Sequence, residues 1–360
     1  SDMPGEETWP TQPFPSNPPP FARQTFTEKD LSPLIKDPQE RARLLDQIRG
    51  ARNEGLFTPP GLRNTIEMPG NNGGANWGGA AVNPTTGALY VVSKDLPCML
   101  KLELEDTRKA SATDSPEQQG RFLYDANCQL CHLANRKGSP PAVPSLEHVV
   151  ERLGREQIGA VVKNGQASMP AFPKLSQSDL DSLVAYLQNP ASVGAATEPT
   201  GSSAPAAGPG AHYVSGFGFM YTSTGLSPIA PPWTSLTAYD LNEGTIKWRI
   251  PLGEVPELAA QGIKDTGTMY PKVGPVVTAG GLIFTATRDR KVRALDEDTG
   301  KVLWEAEVGA ALEGIPAVYE IDGREYLVVC AAAPAQPGSG PQDGIPGAYV
   351  AFALPERQKR

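Results

Sequence analysis

Cysteine and histidine are scarce in this chain of 360 residues, which holds four Cys and three His. A zinc site built from such residues wants four of them, and only one close pair occurs, Cys128 and Cys131, so zinc finds no second paired motif. The same scarcity rules out a disulfide framework; Cys98 and Cys330 stand singly in or near strand-like runs, with nothing in the sequence to pair them. No apolar run approaches a membrane-spanning length. Positive charge is also short: 32 Lys and Arg face 40 Asp and Glu, for a net charge of -8, and no basic cluster interleaves with aromatics, which argues against a nucleic-acid partner. The opening Ser1-Asp2-Met3-Pro4 has neither an initiator Met nor a charged-then-apolar leader, so either a signal has been removed or the chain is a piece of something larger.

What the chain does have is Cys128-Gln129-Leu130-Cys131-His132. Two thiols three residues apart can each form a thioether to a haem vinyl group, and the His that follows then lies under the iron as proximal ligand. A second axial ligand stands downstream in Gly165-Gln166-Ala167-Ser168-Met169-Pro170, where the soft thioether of Met169 suits iron and raises its reduction potential. The pattern points to covalent c-type haem, attached on the extracytoplasmic side of a membrane.

Local signals place these ligands on a small helical unit. Ser115-Pro116-Glu117-Gln118 carries an N-cap, a first-turn Pro and a capping Gln, so a helix starts there and runs toward Cys128. Ser176 opens another, with Leu180, Leu183, Val184 and Leu187 on one face and Pro190 at its end. Between them Glu147 to Leu153 and Glu156 to Lys163 read as shorter helices, the second closed by Asn164-Gly165. His148 falls on this stretch, and it and His212 have no partner pattern. In this order the segment resembles a class I cytochrome c domain. The resemblance implies that Pro140 or Pro141 accepts the hydrogen bond of His132, and that Tyr186 either approaches a haem propionate or is a core aromatic.

The rest of the chain has another texture. Residues 1–60 form a Pro-rich arm expected to lie on a partner surface, with a short helix near Asp37 to Arg49. Strand-like runs occupy 61–110, the helical module 111–190, a flexible Ala/Gly/Pro/Ser/Thr linker 191–211, and further strands 212–360. Ala238-Tyr239-Asp240-Leu241-Asn242-Glu243-Gly244-Thr245-Ile246-Lys247-Trp248 aligns without gaps on Ala294-Leu295-Asp296-Glu297-Asp298-Thr299-Gly300-Lys301-Val302-Leu303-Trp304, each a strand, a turn and a strand ending in a structural Trp. Four-stranded blades explain the repeat, with a last set cut short after three strands. One blade takes two strands from Trp77 to Ser93 and two from Ser235 to Ile250, so the helical module interrupts a blade.

The Asp-x-x-x-Gly-x-x-x-Trp repeat, Gly73-Gly74-Ala75-Asn76-Trp77-Gly78-Gly79 and the ending Gly347 to Pro355 together resemble quinoprotein dehydrogenases that use pyrroloquinoline quinone (PQQ), in particular the membrane-bound glucose dehydrogenase branch. The resemblance implies a mainly β fold: a partial eight-bladed β-propeller, about three blades of it present, with an inserted all-α cytochrome c domain. It also implies quinone and calcium as cofactors beside haem c. Asn76 and Trp77 match a pair that faces the quinone in related alcohol dehydrogenases, with inter-blade packing as the alternative for Trp77; Ser93 stands where some relatives have an Asn. No catalytic residue of the family falls in this chain, whose catalytic Asp and calcium ligands are expected in preceding segments along with the missing N-terminal blades, so the fragment alone is expected to be inactive. The implied function is oxidation of an aldose or alcohol at the quinone, with electrons passing to the haem and then to an external acceptor, a cytochrome or the quinone pool. The protein would be periplasmic or otherwise extracytoplasmic, with any membrane association through the missing part. The alternative is a non-catalytic electron-transfer or scaffold propeller that carries a cytochrome.

Overall fold

Alternating β runs and capped helices settle into sixteen strands and six helices among the described residues of a computed structural model, which describes residues 3, 6–76, 78–104, 113–132, 135–138, 143–166, 169–193, 212–269, 271–333 and 347–354. In chain order these are α1 (Pro38–Gly50), β1 (Thr65–Glu67), β2 (Ala80–Asn83), β3 (Ala88–Lys94), β4 (Cys98–Leu100), β5 (Glu103–Leu104), α2 (Pro116–Asn127), α3 (Gln129–His132), α4 (Val149–Asn164), α5 (Gln177–Gln188) and β6 (Tyr213–Val214). Then follow β7 (Thr234–Asp240), β8 (Thr245–Pro251), α6 (Pro256–Ala259), β9 (Val276–Val277), β10 (Leu282–Ala286), β11 (Lys291–Asp296), β12 (Val302–Glu307), β13 (Ala311–Leu312), β14 (Ala317–Ile321), β15 (Arg324–Ala333) and β16 (Ala348–Ala353). No helix among the described residues is long and apolar enough to cross a membrane.

Twelve of the strands build three four-stranded antiparallel sheets, the blades of a β-propeller, while β1 pairs with β4 and β5 with β6 in two-stranded sheets. In the first, β2-β3-β7-β8, strand β3 pairs with β7 from Ala88↔Asp240 to Lys94↔Thr234, although all of α2 to α5 lies between them in the chain. The second is β9-β10-β11-β12. Both carry a bulge at the same point of the sequence repeat, between Ala238 and Tyr239 and between Ala294 and Leu295. In the third, β13 and β14 share one edge of β15 while β16 takes the other, so this blade is three strands deep.

Apolar residues of neighbouring blades meet face to face. Tyr90, Val92, Leu236, Leu252, Ile283 and Leu295 fill one cluster, and Ala286, Val292, Leu312, Leu327 and Val329 fill the next. The repeat Trp seals these seams: the Trp248 indole donates to the Glu297 carbonyl at 3.2 Å, and Trp304 meets Phe352 edge-on at 5.2 Å. Gly300 lies under the Trp248 ring at φ +70°, where a Cβ would come within 2.9 Å of it.

The described residues divide into two units, one within 1–11, 37–67 and 98–226, the other within 12–36, 68–97 and 227–360. The Pro-rich arm is therefore not one body, and over residues 19 to 26 the surface it lies on is the chain's own propeller unit rather than a partner's. Prolines leave carbonyls without donors of their own, and side chains supply the donors: Tyr239 Oη to Pro19 O at 2.5 Å and Arg249 Nη2 to Pro20 O at 2.7 Å. Arg23 pairs with Asp95 at 3.0 Å and donates to Ala230 O at 2.6 Å. Helix α1 belongs to the other unit, where Leu44 and Ile48 are buried.

The helical module is all-α among its described residues, as expected. Ser115 and Ser176 cap α2 and α5 with full capping boxes. The two helices cross at Gly120, where a Cβ would sit 1.9 Å from the Ser182 carbonyl oxygen. The two short helices expected between Glu147 and Lys163 merge into α4, kinked at Gly154 (φ 74°, ψ 163°). His148 precedes α4 as its N-cap residue, exposed and 3.4 Å from Glu151. Of the linker, residues 194–211 lie outside the described residues.

Candidate functional site

Helix α2 ends on Cys128, and α3 continues through Gln129 to His132, so both thiols and the imidazole lie on little more than one helical turn. The Cys128 amide donates to Tyr124 O at 2.8 Å and the His132 amide to Cys128 O at 2.9 Å, which holds the motif in register with α2. None of the four cysteines is in a disulfide.

His132 is 6% exposed, and its Nδ1 is 3.0 Å from the Pro144 carbonyl oxygen. With Nδ1–H donating there, Nε2 keeps its lone pair for a metal, and the imidazole is fixed in tautomer and orientation. The expected acceptor was Pro140 or Pro141; the partner is Pro144 instead. Three prolines offer equivalent carbonyls in this loop, and loop closure selects among them. The Gly138 amide donates to His132 O at 3.0 Å, and at φ +60° Gly138 lets the chain fold so tightly that a Cβ would come 2.5 Å from Val143 O. Pro140 and Pro141 themselves lie outside the described residues.

Met169 sits on the loop after α4. Gly165 closes that helix at φ 74°, its amide donating to Val161 O at 2.8 Å. Gln166 and Met169 then exchange both backbone hydrogen bonds, at 3.1 and 2.9 Å, and the Phe172 amide returns to Val162 O at 2.8 Å. The loop is thereby pinned at both ends, and Met169 packs against the apolar cluster that contains Cys128, Tyr124, Val149, Val162 and Leu183.

Burial shapes the chemistry of the thiols and the ring. It pushes the Cys128 thiol up to about 12, with Cys131 and Asp125 adding repulsion, and it raises Cys131 as well. His132 is pushed down by burial, which outweighs the Pro144 hydrogen bond, so the ring stays neutral as an iron ligand must be. Two thiols outside disulfides, an oriented neutral imidazole and a thioether on the same apolar cluster fit covalent haem. Tyr186 is a core aromatic, 4% exposed, with its ring 5.4 Å from that of Tyr124, and the Tyr186 hydroxyl accepts from Arg136 Nη1 at 3.0 Å; sequence reasoning did not single out Arg136, since an Arg in a polar loop carries no spacing signal.

On the propeller unit, Asn76 is partly buried just before β2, while Trp77 lies outside the described residues. Backbone segments of neighbouring blades meet two residues after Asn76: a Cβ on Gly78 would come 2.4 Å from Val273 O, and one on Gly274 would come 1.9 Å from Gly78 O and 3.0 Å from Ile315. Ser93 is buried and its hydroxyl donates to Phe21 O at 3.2 Å. No group of three or more His, Cys, Asp or Glu among the described residues is arranged to hold a metal, so a calcium donor set is not found in them.

Comparisons with known proteins bear on both units. A family model for the PQQ glucose/ethanol/alcohol dehydrogenase β-propeller domain matches residues 1–145 and 162–327, and one for cytochrome c oxidase, cbb3-type, subunit III matches residues 115–187. A probable quinate dehydrogenase (quinone) of Xanthomonas campestris pv. juglandis is 25% identical over 99% of this chain and 35% of its own length. Quinoprotein glucose dehydrogenase A of Acinetobacter calcoaceticus is 25% identical over 93% of this chain and 33% of its own. The quinohemoprotein alcohol dehydrogenase structure from Comamonas testosteroni superposes with a TM-score of 0.37 at 17% identity, over 81% of this chain and 28% of that one. The chain thus spans about a third of the length of the curated relatives it matches. With its blades, its repeat and the span of that match in hand, the chain belongs to the PQQ-dependent dehydrogenase β-propeller family and carries a cytochrome c domain.

Proposed function

We propose that this chain serves a quinohaemoprotein dehydrogenase that oxidises the CH–OH group of an aldose or alcohol and exports the electrons through a c-type haem to an external acceptor. When bound, the quinone, polarised by calcium, supplies the two-electron oxidation, and the haem passes electrons on one at a time. Cys128 and Cys131 tether the porphyrin, His132 and Met169 hold its iron, and Pro144 keeps the imidazole pointed at it. Asn76 and Trp77 border the quinone, the amide as hydrogen-bonding group and the indole as packing surface. Thioether attachment places the protein on the extracytoplasmic side of a membrane.

The observation that carries this reading is the 3.0 Å bond between His132 Nδ1 and Pro144 O directly after two cysteines outside disulfides, in a chain that also carries blades of the quinoprotein family. The test is spectral. After expression with haem-attachment machinery, the whole protein loaded with PQQ and calcium should bleach from oxidised to reduced haem on addition of quinate, glucose or another alcohol. A haem spectrum that stays oxidised across a broad panel of polyols defeats the enzymatic reading and leaves an electron carrier or scaffold.

A further inference from the structure

We propose that Arg288, in the turn between β10 and β11, is a receptor for the carboxylate of a bound molecule, a role that rests on the quinoprotein reading above. Arg288 is 7% exposed. Its Nε donates at 3.0 Å, and its Nη2 more closely still, to the same oxygen, Glu313 Oε1. Nη1 is buried and has no hydrogen-bond partner among the described residues. A guanidinium cannot shed its proton to escape this, and a buried donor without an acceptor is costly. Glu313 takes one edge of the fork, and the edge formed by Nη1 and the second Nη2 hydrogen stays open, which is the shape that accepts a carboxylate with two parallel bonds.

A neighbouring arginine, Arg293 on strand β11, makes the contrast. Arg293 is held by Asp289 at 2.5 and 3.2 Å, Thr287 at 2.7 Å and Glu305 at 2.9 Å, so each of its three nitrogens has an acceptor. Arg288 alone of the two is left with an open edge.

Through Glu313, Arg288 adjoins the rim at which backbone segments of neighbouring blades meet. Glu313 adjoins Gly314, whose amide donates to Lys272 O at 2.7 Å and which bridges to Val273. Val273 in turn presses on Gly78, two residues from Asn76. A carboxylate at this rim can come from the quinone cofactor, itself a polycarboxylate, or from a hydroxy-acid substrate such as quinate, and the same open edge would receive either.

The experiment measures equilibrium binding to the whole protein, with PQQ, quinate and uncharged myo-inositol as probes and Arg288→Gln as variant. Loss of two charge-assisted hydrogen bonds should weaken the carboxylate ligand by about 10- to 100-fold. If quinate weakens while myo-inositol and PQQ do not, the substrate's carboxylate is the partner; if PQQ weakens, the cofactor's is. Glu313→Gln keeps an oxygen for Nε and Nη2 but removes the competing charge, so it should tighten the same ligand, an effect a purely structural ion pair would not produce. This second variant also decides the matter should Arg288→Gln fail to fold. Unchanged affinity for all three probes in both variants overturns the role of Arg288. Quinate titrations run with and without PQQ, so a protein that never takes up the cofactor, which would be the failure of the proposed function, still reports on Arg288.

Discussion

His132 gives one ring nitrogen to a backbone carbonyl and keeps the other, and the identity of the opposite ligand then sets what the iron can do. With haem bound as proposed, a thioether from Met169 would stabilise the reduced state, whereas a second imidazole would donate more strongly and favour the oxidised one. Met169→His should therefore lower the haem reduction potential, read by spectroelectrochemical titration, with the absorption of the iron–sulfur bond lost. An unchanged potential would assign the sixth ligand elsewhere. The proposed roles of Cys128, Cys131 and His132 can be read from sequence because the CxxCH spacing matches what two thioethers and a proximal imidazole require. The Pro144 contact was not legible, since Pro140, Pro141 and Pro144 offer the same acceptor and only the fold of the Gly138 loop distinguishes them.

Helices α2 and α5 owe their close crossing to one missing side chain. At Gly120 a Cβ would collide with Ser182 O at 1.9 Å and with its carbonyl carbon at 2.6 Å, so Gly120→Ala must push the helices apart. The expected cost is roughly 1–3 kcal/mol, read from thermal denaturation followed at the haem band. A variant with the wild-type midpoint would mean that the helices part without loss. Both helices were legible beforehand because Ser115, Pro116 and Gln118, and later Ser176, carry capping chemistry that acts locally. So was the pairing of β3 with β7, because the repeat aligned β7 and β8 with a complete second blade and left the first lacking its opening two strands. The kink at Gly154 blurred α4: a glycine at positive φ breaks the backbone, yet the flanking turns still abut.

Over the whole molecule, the haem motif and the blades draw on different cores. Tyr124, Leu183 and Leu187 serve one, and Tyr90, Leu236 and Ile283 serve another. Cys128→Ala combined with Cys131→Ala should abolish covalent haem while the unfolding midpoint reported by Trp233, Trp248 and Trp304 fluorescence stays where it was. A large fall in that midpoint would show that the propeller unit depends on the haem domain for stability. The arm is where the sequence misled. Its prolines announced an extended segment, but whether its carbonyls meet a partner or the chain's own Tyr239 and Arg249 depends on residues more than two hundred positions away.

The sequence by itself determined what depends on neighbours along the chain: the haem-attachment spacing, the helix caps, and the repeat whose Trp and Gly mark two of the blades. Tertiary structure alone decided which of several equal carbonyls orients His132, where the arm lies, and that Arg293 is saturated while Arg288 keeps an edge open. Those outcomes depend on which groups are brought within hydrogen-bonding reach by chain closure, and a distance of 3 Å across the fold leaves no trace in the spacing of residues along it.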